Sequence, residues 1–461
     1  MPKVKEIVDE EKFKSLLESA RNPQKKRGVE IIKKASLKKG LTLEEVATLL
    51  NVDDNELVQE MFKTAAKIKN GIYGNRLVFF APLYVSNFCV NDCEYCGFHT
   101  RNKALRKKLT LKEVGEQVKL LEDMGHKRLL LEFGEDQEKN PIDYVVEVIK
   151  TIYATKSGKG EIRRVNVNIA ATTTENYRKL KAAGIGTYQL FQETYHRGTY
   201  ALMHNGPKAD YERQLFAHDR AFEAGIDDLG LGVLFGLYDY KFEVLALVSH
   251  AQYFDKKHGV GPHTFSVPRW QPAETVGWAK PPHHVSEDEL LKIIAILRLA
   301  VPYTGMIIST RERPELRAKA FEVGISQASA ASKTSPGGYG KSEEATQFLV
   351  ADQRKVDEVL KSILEQGLLP SFCTACYRLG RTGDKFMEYA KSGRIQNFCL
   401  PNAILTFKEY ITDYGDQTLK ELGEKTITKE LESIPDPKIK EETKKKIKDF
   451  DKRGVSKNQT K

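Results

Sequence analysis

LVFFAPLYVSNFCVNDCEYCGFHTRN, residues 77–102, joins an apolar run to three cysteines spaced CxxxCxxC. The run Leu77–Val85 reads as a strand. Further along the chain, short apolar runs alternate with amphipathic helical stretches: RLLLEF (128–133), VNVNIAA (165–171), TYQLFQE (187–193), LGLGVLFG (229–236), HTFSVP (263–268), GMIIST (305–310) and ISQAS (325–329). Gly125, Gly184, Gly225 and Gly324 precede the next strand, where left-handed glycine closes a helix without a Cβ clash. Thr110 with Glu113 and Ser286 with Glu289 have the spacing of capping boxes at helix starts. Eight strand–helix units over about 255 residues predict an α/β fold of the (β/α)8 TIM-barrel type. A doubly wound open sheet is the alternative, because counting repeats does not establish closure.

The flanks lack this rhythm. Residues 1–76 are expected to form an N-terminal helical extension, with Thr42/Glu45 and Asp53/Glu56 spaced as capping boxes and Gly71 and Gly74 stopping the second helix. The barrel is expected over 77–334, followed by a mostly helical cluster-binding domain over 335–461 whose last ~45 residues are charged. GGYGKS (337–342) looks like a phosphate loop, but Ser335 stands where the leading glycine belongs, so it reads as a plain loop.

Composition narrows the function classes. The 461 residues carry a net charge of +10, with 40% hydrophobic residues and a mean hydropathy of −0.46. The basic residues are largely lysines mixed with acids, as in KKIKDFDKRGVSKNQTK (445–461), where Phe450 is the single aromatic and no series of stacking positions is interleaved, which argues against a nucleic-acid partner. No apolar run is long enough to span a membrane, and the charged N-terminus lacks a secretory h-region. The expectation is a cytoplasmic protein, where reduced thiols favour metal ligation over disulfides.

All six cysteines fall into two triads, Cys89, Cys93 and Cys96, then Cys373, Cys376 and Cys399. Three thiolates are one short of a closed tetrahedral site or a fully ligated cubane, so each triad leaves room for an exchangeable ligand. The first follows the first strand, where barrel enzymes place their chemistry. A structural zinc loop borrowing a distant histidine is the bland alternative.

CxxxCxxC with Tyr95 before the last cysteine resembles the fingerprint of the radical S-adenosylmethionine superfamily. The resemblance implies a 4Fe–4S cluster whose free iron takes the amino and carboxylate groups of S-adenosylmethionine, and whose electron releases a 5′-deoxyadenosyl radical. It also implies cofactor-binding roles for Tyr95, for Gly134 and Glu135 (a GGE-like segment keeping only its second glycine), for Glu193 at the ribose, and for Gly232 and Gly236 at the adenosyl moiety. Each is otherwise an ordinary strand-end residue or barrel glycine.

The tail triad is CxxC, 22 residues, then Cys399. Spacing alone leaves zinc, iron–sulfur and a redox pair open. A radical barrel with this tail resembles the tyrosine lyases that mature FeFe-hydrogenases, close to the 2-iminoacetate synthases of thiamine biosynthesis, which lack the tail triad. The resemblance implies cleavage of the Cα–Cβ bond of L-tyrosine to p-cresol and dehydroglycine, then CO and cyanide formation at a second 4Fe–4S cluster. That cluster carries an additional iron bridged by a small molecule such as free L-cysteine. His263 is the candidate ligand of that iron and His258 a weaker competitor. Arg311, Ser329 and Tyr84 resemble the set that holds the substrate carboxylate in the related aromatic amino-acid lyases, and a guanidinium fork suits that task; a salt bridge from Arg311 to Glu312 or to a helix acid is the bland alternative. The expected partners are tyrosine, a low-potential electron donor and other hydrogenase maturation proteins, with no nucleic acid and no membrane. The rival functions are 2-iminoacetate synthase activity with a vestigial tail, and an iron–sulfur carrier without radical chemistry.

Overall fold

The computed structural model describes residues 3–273, 276–341, 344–434 and 436–458. All eight expected strands form: β1 (Arg76–Ser86), β2 (Arg128–Phe133), β3 (Arg164–Asn168), β4 (Tyr188–Glu193), β5 (Leu229–Val233), β6 (Thr264–Ser266), β7 (Gly305–Ile308) and β8 (Gln327–Ser329). They pair in parallel in sequence order, and β1 bonds both β8 and β2, so the sheet closes and the open-sheet alternative is excluded. Alternation along β1 sends Leu77, Phe79, Ala81, Leu83 and Val85 into the apolar layer beneath the helices, all essentially unexposed. Arg76, Val78, Phe80, Pro82 and Tyr84 face the barrel interior, where they line cavities.

A ninth strand, β9 (Leu369–Ser371), was not expected from the sequence. β1 is long enough to pair β2 from Ala81 onward and still offer Arg76–Val78 to β9 beneath it. Pro370, which has no N–H to donate, is tolerated because β9 lies at the edge of the sheet. Its three residues deliver Cys373 to the foot of the barrel.

The flanks are helical, with boundaries that partly depart from expectation. Five helices precede β1, ending with Asn55–Tyr73, which packs on Glu287–Ala300. The boxes at Thr42/Glu45, Thr110/Glu113 and Ser286/Glu289 all form. At Asp53/Glu56 the cap is Asp54 instead, whose carboxylate accepts from Leu57 N at 3.0 Å. Gly71 lies inside that helix, and only Gly74, with φ 68°, ends it. Gly125, Gly184 and Gly225 are left-handed as expected, but Gly324 is extended at φ 174°.

After β8 the chain crosses the mouth of the barrel before returning to β9. Tyr339 drops its hydroxyl onto the Pro82 carbonyl at 2.6 Å, and Arg317 pairs with Asp352. GGYGKS lies in this crossing and is a loop over Gly337–Lys341; Ser342 lies outside the described residues. The helix Gln396–Asp413 carries Cys399 and packs on β9, with Tyr410 stacked on Phe372 at 4.7 Å between ring centroids. No described helix is long and apolar enough to cross a membrane.

Candidate active sites at the two ends of the barrel

The first triad lines a cavity of about 180 Å³ at the C-terminal ends of the strands. Its loop is pinned from three sides. Val90 N donates to Glu135 O at 2.7 Å, Gly97 N to Gln347 O at 2.9 Å, and Glu94 N to Met203 O at 3.1 Å. Gly134 is where backbone must approach closely: a Cβ there would stand 2.3 Å from Phe88 O and 3.1 Å from the Cys89 Cβ. Gly134→Ala is therefore expected to bind about half the iron of the wild type after anaerobic reconstitution, by metal analysis, because one triad of two loses its geometry.

Polar groups on successive strand ends face this triad. Glu193 has a left-handed backbone at φ 67°, which is strained for a side chain larger than glycine and directs its carboxylate into the cavity. Lys208 pairs with that carboxylate at 2.8 Å. Burial opposes the Lys208 charge, yet Glu193 and Cys93 hold its pKa above the ordinary lysine value. The Glu135 carboxylate accepts from Asn91 Nδ2 at 2.6 Å and pairs with Arg213 at 2.5 Å, so it braces the cysteine loop. Tyr95 is buried with its hydroxyl 2.9 Å from His204 Nε2; His204 Nδ1 donates to the Tyr200 carbonyl, so Nε2 accepts. Gly232 sits on β5 against the Phe191 ring, and Gly236 faces Trp270 and Pro281; neither lines the cavity.

Tyr84, Arg311 and Ser329 line the same cavity. Glu312, the partner proposed for Arg311 in the bland reading, is instead gripped by both arms of Arg269. Among the described residues no carboxylate pairs with Arg311, whose guanidinium lies 3.3 Å over the Phe348 ring in the segment crossing the barrel mouth. Tyr84 donates to Gln347 Oε1 at 2.8 Å, from that same segment.

The second triad lines a smaller cavity, about 50 Å³, at the opposite end, among the starts of the strands. Arg76 Nη2 donates to Cys399 Sγ at 3.2 Å, and Ala375 N to Cys373 Sγ at 3.4 Å. The neighbouring Cys376 thiol holds Cys399 below the usual thiol value against its burial, with help from Arg76. His263 lines this cavity with Nε2 3.3 Å from the Tyr377 hydroxyl and Nδ1 3.7 Å from Asp228. Burial keeps its ring neutral, the form that ligates metals. His258 is 3.1 Å from Asp219 and does not reach the cavity.

All six cysteines are free. Burial pushes the Cys96 thiol up to about 11 and raises Cys89, Cys93 and Cys373 as well, so ionised sulfur at either triad calls for a cation. Among the described residues no three His, Cys, Asp or Glu side chains converge on a point that a single ion would occupy. Each triad lines a cavity and is offered hydrogen bonds at sulfur. Three thiols with no fourth protein ligand among the described residues suit a cluster with an open corner better than a closed zinc site.

Sequence reasoning missed several groups. Glu132, inward on β2, is a half-buried acid pushed up to about 8 by desolvation despite Asn168. Glu243 accepts from Thr194 Oγ1 and from Tyr195 N at 2.8 Å, holding the turn that fixes Glu193. The first residues of β1, β2 and β3 are Arg76, Arg128 and Arg164, the last two direct partners across the sheet, a repetition that was legible in the sequence. Lys208, in the 3-10 turn Pro207–Ala209, carried no such signal.

Residues 83–248 match the Radical SAM superfamily and residues 266–369 the Biotin and Thiamin Synthesis associated domain. The 2-iminoacetate synthase of Salmonella typhimurium is 32% identical over 333 residues, 72% of this chain and 86% of its own length. A crystal structure of HydG, described as a maturase of the FeFe-hydrogenase, is 58% identical and superposes with a TM-score of 0.95 over 97% of this chain and 98% of that one. HydG from Carboxydothermus hydrogenoformans is 39% identical, with a TM-score of 0.85 over 97% and 100% of the two chains.

Proposed function

The chain belongs to the HydG family of FeFe-hydrogenase maturases, radical SAM enzymes that carry a 4Fe–4S cluster and use S-adenosylmethionine, and on that premise we propose that it cleaves L-tyrosine to p-cresol and dehydroglycine and forms CO and cyanide from the latter. The observation that carries this reading is the placement of two cysteine triads at opposite ends of one barrel, each beside its own cavity.

Cys89, Cys93 and Cys96 would hold the first cluster, which when bound supplies the electron that splits S-adenosylmethionine into methionine and a radical able to take hydrogen from the tyrosine amine. Cys373, Cys376 and Cys399 would hold a second, with His263 on its additional iron and free cysteine as the bridge; loaded, it supplies the iron that receives CO and cyanide.

The chain's own residues do the positioning. Gly134 lets backbone approach the methionyl ammonium, Glu135 braces the cysteine loop, and Glu193 accepts from the ribose. Tyr95 and His204 close the wall behind them, while Gly232 on β5 admits the Phe191 ring and Gly236, beyond the strand, admits Trp270 and Pro281. Arg311 takes the tyrosine carboxylate in its fork, with Ser329 donating beside it and Tyr84, whose one hydroxyl proton goes to Gln347, donating once it turns from that partner. Desolvation pushes the Glu132 carboxyl up to about 8, which favours the protonated form that would donate a hydrogen bond where an ionised acid would repel that carboxylate. Gln347 and Phe348 cap the cavity and exclude water, which would quench a radical and hydrolyse an imine.

Anaerobic reconstitution followed by product analysis tests the reading. The expected products after reduction with S-adenosylmethionine and tyrosine are 5′-deoxyadenosine, p-cresol and CO trapped by a haem protein. p-Cresol with glyoxylate but no CO would point to 2-iminoacetate synthase activity, and absence of 5′-deoxyadenosine to a cluster carrier. A low-potential electron donor and other maturation proteins complete the proposed setting.

A further inference from the structure

We propose that the basic loop 101–108, with the exposed apolar side chains that flank the first triad, is the docking surface for a small acidic protein carrying one low-potential electron. The inference rests on the proposed function for the need of that electron, and on the surface itself for where the donor seats.

RNKALRKK (101–108) holds five cations and no acid. Two are neutralised from outside the loop, Arg101 by Asp92 and Glu94, and Lys107 by Glu113 at 3.4 Å. Among the described residues no carboxylate pairs with Lys103, Arg106 or Lys108. Lys103 is exposed, and Lys108 Nζ lies 3.8 Å over the Tyr144 ring. Arg106 has only neutral acceptors. Its Nη1 donates to Asn87 O at 2.7 Å and Phe98 O at 2.9 Å, and its Nη2 to His99 O at 2.6 Å and Asn102 O at 3.2 Å. Those carbonyls stand on both sides of the cysteines, so a net positive loop is tied directly to the triad.

Apolar side chains flank the same place. Leu105 is 70% exposed, and its carbonyl accepts from Asn87 Nδ2 at 2.9 Å, two residues before Cys89. On the other flank Leu202 is 77% exposed, and the adjoining Met203 carbonyl accepts from Glu94 N at 3.1 Å. Val90, inside the cysteine loop, is 44% exposed. Large apolar side chains in water beside a charged rim have the composition of a protein contact. The wall is also thin here. Phe98 N donates to Cys96 Sγ at 3.4 Å and the Phe98 carbonyl accepts from Arg106, so one residue links the basic loop to a triad sulfur.

Charge and size set the class of partner. Three cations without a carboxylate, on a chain of net charge +10, steer an acidic protein to this face. Encounters between electron carriers are small and transient, and a few side chains suffice for them, whereas a permanent subunit needs a larger apolar face. One electron leaves the reduced carrier and enters the oxidised cluster at the first triad; no bond forms and no proton moves.

The experiment uses full-length protein with both clusters reconstituted. Isothermal titration calorimetry measures binding of an acidic two-cluster ferredoxin and, in a parallel arm, of an acidic flavodoxin. Turnover to 5′-deoxyadenosine is then driven either by the reduced carrier or by dithionite. At least one carrier is expected to bind, and more weakly as salt is raised. Lys103→Glu combined with Leu105→Ser should weaken that binding, and raise the KM for reduced carrier, at least about tenfold. Dithionite-driven turnover should stay within about twofold of wild type. Failure of both carriers to bind, or binding indifferent to the double substitution, overturns the proposal. A parallel loss of dithionite-driven turnover also overturns it, by making these residues part of the site's own structure. Equal binding of anionic phospholipid vesicles, sensitive to the same substitutions, does so too, by making the surface a membrane contact. If dithionite yields no 5′-deoxyadenosine with wild type, the proposed function fails while the docking surface stands on its own binding data.

Discussion

Replacing Cys373 and Cys376 together with serine is expected to leave p-cresol formation within about threefold of wild type while CO production falls at least about a hundredfold. The two cavities share no lining residue, and the layer of Phe80, Leu130 and Ile307 stands between them inside the barrel. Serine removes two soft ligands from the lower triad without touching the upper loop, which is pinned by Glu135, Gln347 and Met203. The tail does not depend on its sulfurs for attachment. β9 is bonded to β1, and Phe372 and Tyr410 pack the following helix against it. p-Cresol and CO measured on the same reconstituted sample separate the possibilities. Parallel loss of both in a protein with normal circular dichroism would argue against two separate sites.

This separation was largely legible in the sequence because each triad comes with its own local context. The strand Leu77–Val85 runs straight into CxxxCxxC, and the seven later apolar runs each became a strand. What resisted reading was what depends on partners far away in the chain. β9 is three residues long, contains Pro370, and exists because the foot of β1 is left unpaired by β2. The stretch after residue 334 reads as a loop, yet Tyr339, Gln347 and Phe348 fix it across the barrel mouth through Pro82, Tyr84 and Arg311. Asp53 and Asp54 are equally good caps, and one position decided between them. The interior charges had a signal that went unread: in RLLLEF, Arg128 and Glu132 are four apart, so both face inward, one toward each cavity. A polar residue at inward positions of a closed barrel is a functional signal, because an all-apolar filling is the cheaper solution.

Arg311→Gln is expected to lower kcat/KM for tyrosine by about a hundredfold while leaving the affinity for S-adenosylmethionine within about threefold. Arg311 is a half-buried guanidinium with a fork to spare, because its neighbour Glu312 is already bound by Arg269. Burial lowers its pKa, and Tyr84, Glu193 and Glu132 push the other way, but it stays charged at neutral pH. Two charge-assisted hydrogen bonds to a carboxylate, each worth about 1.5–3 kcal/mol, set the scale of the loss. Arg311→Lys should fall between, since an ammonium keeps the attraction without the planar fork. The comparison with S-adenosylmethionine affinity gives the prediction its edge. Glu193 and Arg311 share one cavity, so a parallel loss of both affinities would assign Arg311 to the cofactor's carboxylate instead. A loss confined to tyrosine assigns it to the substrate, and the free guanidinium over Phe348 is then the feature that orients the amine for hydrogen abstraction.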